Sequence, residues 1–243
     1  MNLTRLFKKN KEKTPHCSAV IVAAGNARRM GSDKLMLELG GIPVLVRTLR
    51  PFQNSPLVDE IVVVTRMDLL EPGADLCKNY GIDKVSRVVC GGATRTESVL
   101  VGVSEVQKKA KLIAIHDGAR PFVTPELILR TVYAADEFMA AAPVIHSTDT
   151  LKAIDEKGDV IGTVDRELTV RVQTPQVFHA ELIKGALTKA VESALALTDD
   201  CAAAEIMGVK THTVLGDEDN IKLTTPQDML FAEALLKARE ESL

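Results

Sequence analysis

Short apolar runs alternate with longer stretches of helical periodicity up to about residue 140, and this alternation limits the fold more than any other feature of the chain. Residues 18–24 are continuous and apolar, as a central parallel strand is, and 60–65, 85–90 and 112–116 read as further strands. Residues 43–53 place Val44, Leu45, Thr48, Leu49 and Phe52 on one stripe, with Pro43 at the first turn. Residues 68–80 read as a helix interrupted near Pro72-Gly73. Residues 94–109 bring Val99, Val103 and Val106 to one side, and Pro125 opens a helix that runs to about Met139. Strands that alternate with helices of this length predict an α/β fold with a mainly parallel sheet and helices on both faces.

The pattern changes after Ala140. Residues 141–147 read as a strand. Residues 149–154 and 160–164 flank Lys157-Gly158 and predict a β-hairpin that projects from the sheet. An isolated hairpin is marginal in water, so this arm needs a partner, and a second copy of the chain is the simplest one. Helical patterns return at 180–194 and 199–207. Residues 211–215 read as a last strand. Residues 226–240 read as a last helix whose apolar face is Met229, Leu230, Ala232, Leu235 and Leu236. The chain carries no internal repeat and no interdomain linker.

Composition excludes some classes of function. The chain has 243 residues, a net charge of −3, 3% aromatic residues and no tryptophan, which argues against binding nucleic acid by bulk charge or base stacking. Basic residues gather at the start, with Arg5, Lys8, Lys9, Lys11 and Lys13 against Glu12. Residues 1–17 therefore read as a basic, disordered extension. The cysteines, Cys17, Cys77, Cys90 and Cys201, form no C-x-x-C pair and have no histidine at zinc-ligand spacing. They read as reduced packing thiols of a cytoplasmic protein. No apolar run approaches a membrane span, and no apolar segment follows the basic start as in a secretory signal.

In open α/β sheets, ligands bind beyond the carboxyl ends of the strands. The first strand runs into Ala23-Ala24-Gly25, followed by Arg28, Arg29 and Lys34. Small residues let backbone N–H groups approach a polyphosphate, and the cations suit its charge. The loop is neither a Walker A motif nor a dinucleotide fingerprint, and a strand-to-helix turn with solvated arginines is the plainer alternative. The third strand ends at Gly91-Gly92, with Ser98 beyond it. The fourth ends at His116-Asp117-Gly118. Asp117 is placed to hold a divalent ion beside a triphosphate, or to serve as a turn aspartate. His116 is a candidate base or a hydrogen-bonded structural residue. Residues 172–178, 198–200 and 219–226 each read as a polar loop, and 198–200 also suit a helix cap.

The segments AAGNARRMGSDK, GGATRTESV, HDGARPF, DTLK, TVDRELTVRVQTPQVF, TDD and DNIKLTTPQD occur in this order. Together they resemble the 2-C-methyl-D-erythritol 4-phosphate cytidylyltransferase family of the non-mevalonate isoprenoid pathway, over residues 18–238. The resemblance implies a Rossmann-like nucleotidyltransferase domain over residues 18–243. It also implies a β-arm at about 145–172, exchanged in a homodimer. The implied reaction joins CTP and the polyol phosphate with release of pyrophosphate, and Mg2+ is the implied cofactor. By motif, Arg29, Lys34 and Lys222 match the catalytic cations. Ala23, Ala24, Gly25, Gly91, Gly92, Ser98 and Asp117 match the nucleotide contacts. Thr150, Arg166, Thr174 and Thr198 match the polyol phosphate site, with Arg166 reaching from the neighbouring arm. Asp117 and Asp219 match the magnesium-associated carboxylates. Ala27 stands where many members have glycine, Ala93 where some have an acidic residue, and the spacing from Met30 to Lys34 is shorter than in some members. Ribitol-5-phosphate cytidylyltransferases share the loop and the QTPQ segment, and DTLK with Val164-Asp165-Arg166 favours methylerythritol phosphate. A molybdenum-cofactor nucleotidyltransferase and an inactive nucleotide-binding regulator are the other readings.

Overall fold

The computed structural model describes residues 15–25 and 36–241. Its centre is a parallel run of four strands, β1 (Cys17–Val22), β4 (Val58–Thr65), β5 (Val85–Cys90) and β6 (Leu112–Asp117), in the spatial order β5-β4-β1-β6. A short hairpin, β2 (Glu38–Leu39) and β3 (Ile42–Pro43), precedes the first described helix. Sequence periodicity gave no sign of it, because strands of two residues are too short to carry a pattern.

Helices cover both faces, as the alternation predicts. On one face α1 (Val44–Asn54), α2 (Leu70–Asn79), α4 (Pro125–Phe138) and α7 (Pro226–Glu241) pack on Ala19, Ile21, Ile61 and Val63. On the other, α3 (Arg95–Ser104), α5 (Ala180–Glu192) and α6 (Asp200–Ile206) pack on Val20, Val62 and Val64. Full burial of side chains such as Leu49, Phe52, Ile183 and Leu187 stabilises the stack by about 1.5–3 kcal/mol each.

Several expectations need correcting. The first strand begins at buried Cys17 and ends at Val22, which leaves Ala23 and Ala24 to the loop beyond it. Helix α2 runs unbroken through Pro72-Gly73. Pro72 falls in its first turn, where the N–H has no intrahelical partner to lose. Helix α3 stops at Ser104, short of Lys109. On α7, Ala232 is buried and Met229, Leu235 and Leu236 pack on the core, but Leu230 is 70% exposed.

The largest departure lies beyond β6. The segment around Val177 is a core strand, not a loop. β11 (Gln176–His179) inserts between β6 and β7 (Ala140–His146) and runs antiparallel to both. Val177 and Phe178 are fully buried, and this burial outweighs the turn-like sequence before them. β10 (Val170–Val172) continues along the same edge of β7. Val172 lies opposite Val144 whereas Val177 lies opposite Ala141, so the chain bulges over 173–175, a stretch that holds a cis Thr174–Pro175 bond. β12 (His212–Leu215) closes the other edge of β7 in parallel.

The hairpin takes the position expected of it. β8 (Lys152–Ile154) and β9 (Val160–Thr163) pair antiparallel with each other and, among the described residues, with no other strand. Asp155 Oδ1 accepts the N–H groups of Lys157 and Asp159, and Gly158 supplies the positive φ of 89° that the turn needs. Ile161 at 67% and Leu168 at 85% stand exposed along the arm.

Candidate active site

The carboxyl ends of β1, β5 and β6 open onto a cavity of about 270 Å³. Ala23, Ala24 and Gly25 form one wall, Gly92 to Arg95 with Ser98 a second, and Asp117, Ala119 and Lys222 a third. The first wall is pinned where the Ala23 N–H donates to the Val64 carbonyl at 2.7 Å.

Glycine at position 91 is a steric requirement. A Cβ there would sit 2.6 Å from Ser98 Oγ and 2.8 Å from the Ala24 Cβ, so any side chain would push the first two walls apart. Beyond it, Thr94 and Glu97 form a reciprocal cap. Thr94 Oγ1 accepts the Glu97 N–H at 3.1 Å, and Glu97 Oε2 accepts the N–H groups of Ala93 at 2.7 Å and Thr94 at 3.2 Å. The second wall is therefore rigid.

Arg95 follows that cap. Its terminal nitrogens donate to the two oxygens of Asp200 at 2.9 and 2.7 Å. Burial works to lower the pKa of the guanidinium, but the Asp200 carboxylate outweighs it and holds the value above the ordinary one.

On the third wall, Asp117 Oδ2 lies 2.9 Å from Lys222 Nζ and 3.5 Å from Arg120 Nε. Burial pushes this carboxyl up, and Lys222, Arg120 and, more weakly, Arg95 overcome it, to a pKa of about 2. Asp117 is thus a fixed anion shared by two cations. His116 differs: its ring is fully buried 5.0 Å from that of Phe52, and desolvation lowers its pKa to about 3. It is a neutral structural residue. Thr174 Oγ1 lies 2.9 Å from its Nδ1 and accepts the Asp117 N–H at 3.2 Å.

Two glutamines hold the loops around Asp117. Gln173 Nε2 donates to the Asp217 carbonyl at 2.8 Å, and its Oε1 accepts from the Asp217 N–H at 3.2 Å and Asn220 Nδ2 at 3.3 Å. Asn220 Nδ2 also lies 2.9 Å from the Thr174 carbonyl, and the Leu223 N–H donates to the Ala119 carbonyl at 2.9 Å. These bonds fix the segment that carries Lys222. Gln176 acts on the other side. Its Oε1 accepts the N–H groups of Asp200 and Cys201 at 2.9 and 3.1 Å, and its Nε2 donates to Asp199 at 3.0 Å.

Of the residues matched by motif, Ala23, Ala24, Gly25, Gly92, Ser98, Asp117 and Lys222 meet at this cavity, with Gly91 packed directly behind it. Arg29 and Lys34 lie outside the described residues. Thr174 is buried, and its hydroxyl is committed to His116 and Asp117, so it orders the third wall from behind. Asp219 does not line the cavity, and its carboxylate is held by Arg239 at 3.0 Å. Thr150, Arg166 and Thr198 are exposed and line no part of it. Sequence reasoning gave no role to Arg95, Asp200, Gln173, Gln176 or Asn220. Each acts through a partner far along the chain, and only the two glutamines flanking Thr174-Pro175 hinted at it.

A family model described as 2-C-methyl-D-erythritol 4-phosphate cytidylyltransferase (IspD) matches residues 17–238. The chain belongs to the 2-C-methyl-D-erythritol 4-phosphate cytidylyltransferase family. The enzyme of that name from Syntrophus aciditrophicus is 39% identical, covering 93% of this chain and 98% of its own length. The one from Caldanaerobacter subterraneus subsp. tengcongensis is 41% identical over 90% and 98%. The crystal structure of the synthase of 4-diphosphocytidyl-2C-methyl-D-erythritol from Anaerococcus prevotii superposes with a TM-score of 0.84 at 34% identity, covering 93% of this chain and all of that one. The cytidylyltransferase from Thermus thermophilus gives 0.75 at 32% identity over 91% and 99%. The fold is thus the Rossmann-like one of the cytidylyltransferases, and the chain is a nucleotidyltransferase. Among the described residues, no helix is long and apolar enough to cross a membrane.

Proposed function

We infer that the chain transfers CMP from CTP to 2-C-methyl-D-erythritol 4-phosphate, giving 4-diphosphocytidyl-2-C-methyl-D-erythritol and pyrophosphate. The observation that carries this reading to particular residues is the Asp117–Lys222 pair facing the Ala23–Gly25 wall across one cavity. A phosphate oxygen of the polyol attacks the α-phosphorus in line, and the bond to the bridging oxygen breaks as pyrophosphate departs. The nucleophile is already anionic, so no general base is needed, in keeping with a neutral, buried His116.

The chain's own task is positioning and charge. Ala23 to Gly25 present small residues to the triphosphate. Gly91, Gly92 and Ser98 receive the nucleoside. Lys222 reaches the α-phosphate, while Arg29 and Lys34 act on the pentacoordinate phosphorus and the leaving pyrophosphate. Arg166, with Thr150 and Thr198, takes the polyol phosphate. The donor set fits Mg2+ in one form: Asp117 offers a single carboxylate at the cavity, and no cluster able to cage a metal occurs among the described residues. Magnesium bound chiefly by the triphosphate and anchored by one carboxylate meets this description, and it would offset phosphate charge. The exposed arm supports a homodimer with shared sites. The four free thiols suit a reducing cytoplasm.

The test is pyrophosphate release with CTP against a panel of polyol phosphates, with and without chelator. Methylerythritol phosphate should be preferred, with activity lost in chelator. Preference for ribitol 5-phosphate would replace the substrate assignment, and full activity in chelator would remove the metal.

A further inference from the structure

We propose that Arg95 binds the nucleoside half of CTP, and that Asp200 is the positioning residue that fixes its guanidinium on the cavity wall. The proposal rests on the reading of this cavity as the CTP site.

Arg95 is the first residue of α3 and lines the cavity with Asp117 and Lys222. Asp200, the first residue of α6, is 1% exposed and lies on the other side of the molecule's sequence. A carboxylate so buried must be paired, and Arg95 provides the pair in a two-pronged geometry at 2.9 and 2.7 Å. Asp200 is itself held. Gln176 is equally buried and takes the backbone N–H groups of Asp200 and Cys201 on Oε1. Gln176 lies on β11 opposite Ile115 of β6, two residues before Asp117. The strand pair that sets Asp117 therefore also sets Arg95, and the separation of the two across the cavity is fixed.

This geometry decides the kind of ligand. A guanidinium has five N–H donors, and Asp200 occupies two of them. Its charge is matched by a carboxylate of its own, whereas Lys222 shares the Asp117 carboxylate with Arg120 and keeps its side chain 41% exposed. Arg95 is thus a directional donor, suited to neutral acceptors such as ribose hydroxyl or base carbonyl oxygens. The phosphates fall to Lys222 and the loop cations.

Two variants test this: Asp200→Asn, and the double variant Arg95→Gln with Asp200→Asn. The double variant replaces the buried ion pair with amides and keeps the fold testable if an unpaired Arg95 disrupts it. In the folded protein each should raise the KM for CTP by about ten-fold, the scale of one lost charge-assisted hydrogen bond. The kcat should stay within about three-fold and inhibition by pyrophosphate should be unchanged, because phosphate contacts do not pass through Arg95. A lower melting temperature with an unchanged KM for CTP would make the pair merely structural and overturn the proposal. An equal weakening of pyrophosphate would overturn the assignment to the nucleoside half. Wild-type protein that neither binds nor turns over CTP removes the parent reading and this one together. Active wild type with unaffected variants removes only this one.

Discussion

His116 and Asp117 are neighbours at the end of β6, yet the fold moves their protons for different reasons. Desolvation lowers the His116 pKa to about 3, while Lys222, Arg120 and, more weakly, Arg95 overcome burial to bring Asp117 to about 2. The sign follows for each. An unfolded histidine titrates near 6.5, so between about pH 6.5 and 3 the unfolded chain binds the proton that folded His116 refuses, and stability falls on acidification. Asp117 contributes stability above its unfolded value of about 3.9, and that contribution is lost only as pH falls towards 2. From pH 6 to 4.5 His116 is therefore the one of the two that matters. Its contribution to the slope should be about 1 kcal/mol per pH unit. Urea unfolding of His116→Gln across this window should show a shallower decline than wild type by that amount. Equal slopes would mean that His116 is not held neutral. The chemical identity of both residues was legible in the sequence, as a strand-end His-Asp-Gly. Their division into a neutral support and a fixed anion was not, because it depends on Phe52, Thr174 and Lys222, each far along the chain.

Helix α3 illustrates how close packing carries the site. Gly102 lies where a Cβ would come within 2.5 Å of Val20 Cγ1 and Val64 Cγ2, both on fully buried strand residues. Alanine favours a helix over glycine by about 0.8–1 kcal/mol, but overpacking a dense core costs about 1–3 kcal/mol. The clash should win, and Gly102→Ala should be destabilising. Gly185, exposed on α5, has no atom within 4 Å of a built Cβ, so Gly185→Ala should stabilise by about 0.5–1 kcal/mol. Chemical denaturation of both variants checks the contrast, and two shifts of the same sign would refute the packing argument. The elements that sequence periodicity revealed are those with a long apolar stripe or run: the four parallel strands and the helices between them. It missed β10 and β11, where Gln173 to Gln176 read as a polar turn. Their role depends on what they touch: two buried glutamines spanning a bulge can only be interpreted once the loops they hold at 217–220 and 199–201 are known.

At the scale of the whole molecule, a single chain leaves the arm and the cavity unconnected. Arg166 sits on the turn 166–168 at the foot of the arm, and its ion-pair partner among the described residues is Glu167 at 3.6 Å, a weak exposed contact. Ile154, Val160, Ile161 and Leu168 are exposed on the same arm. A second copy related by a two-fold axis would cover those residues and bring Arg166 to a neighbouring cavity. Arg166→Ala should then raise the KM for methylerythritol phosphate strongly and leave CTP binding largely intact, since a guanidinium fork on a phosphate is poorly replaced. Lys34→Ala should instead lower turnover by about 10²–10³, the cost of losing one donor to developing charge. Neither homodimer should be active at low substrate. Co-refolding the two variants gives the decisive measurement. With random reassortment about half of the dimers are mixed, and if the arm serves its neighbour, about one site in four combines an intact loop with an intact arm. If the arm serves its own chain, every site in a mixed dimer carries one defect. Recovery near a quarter of wild-type activity is expected, and no recovery from mixed dimers verified by mass would refute the shared site.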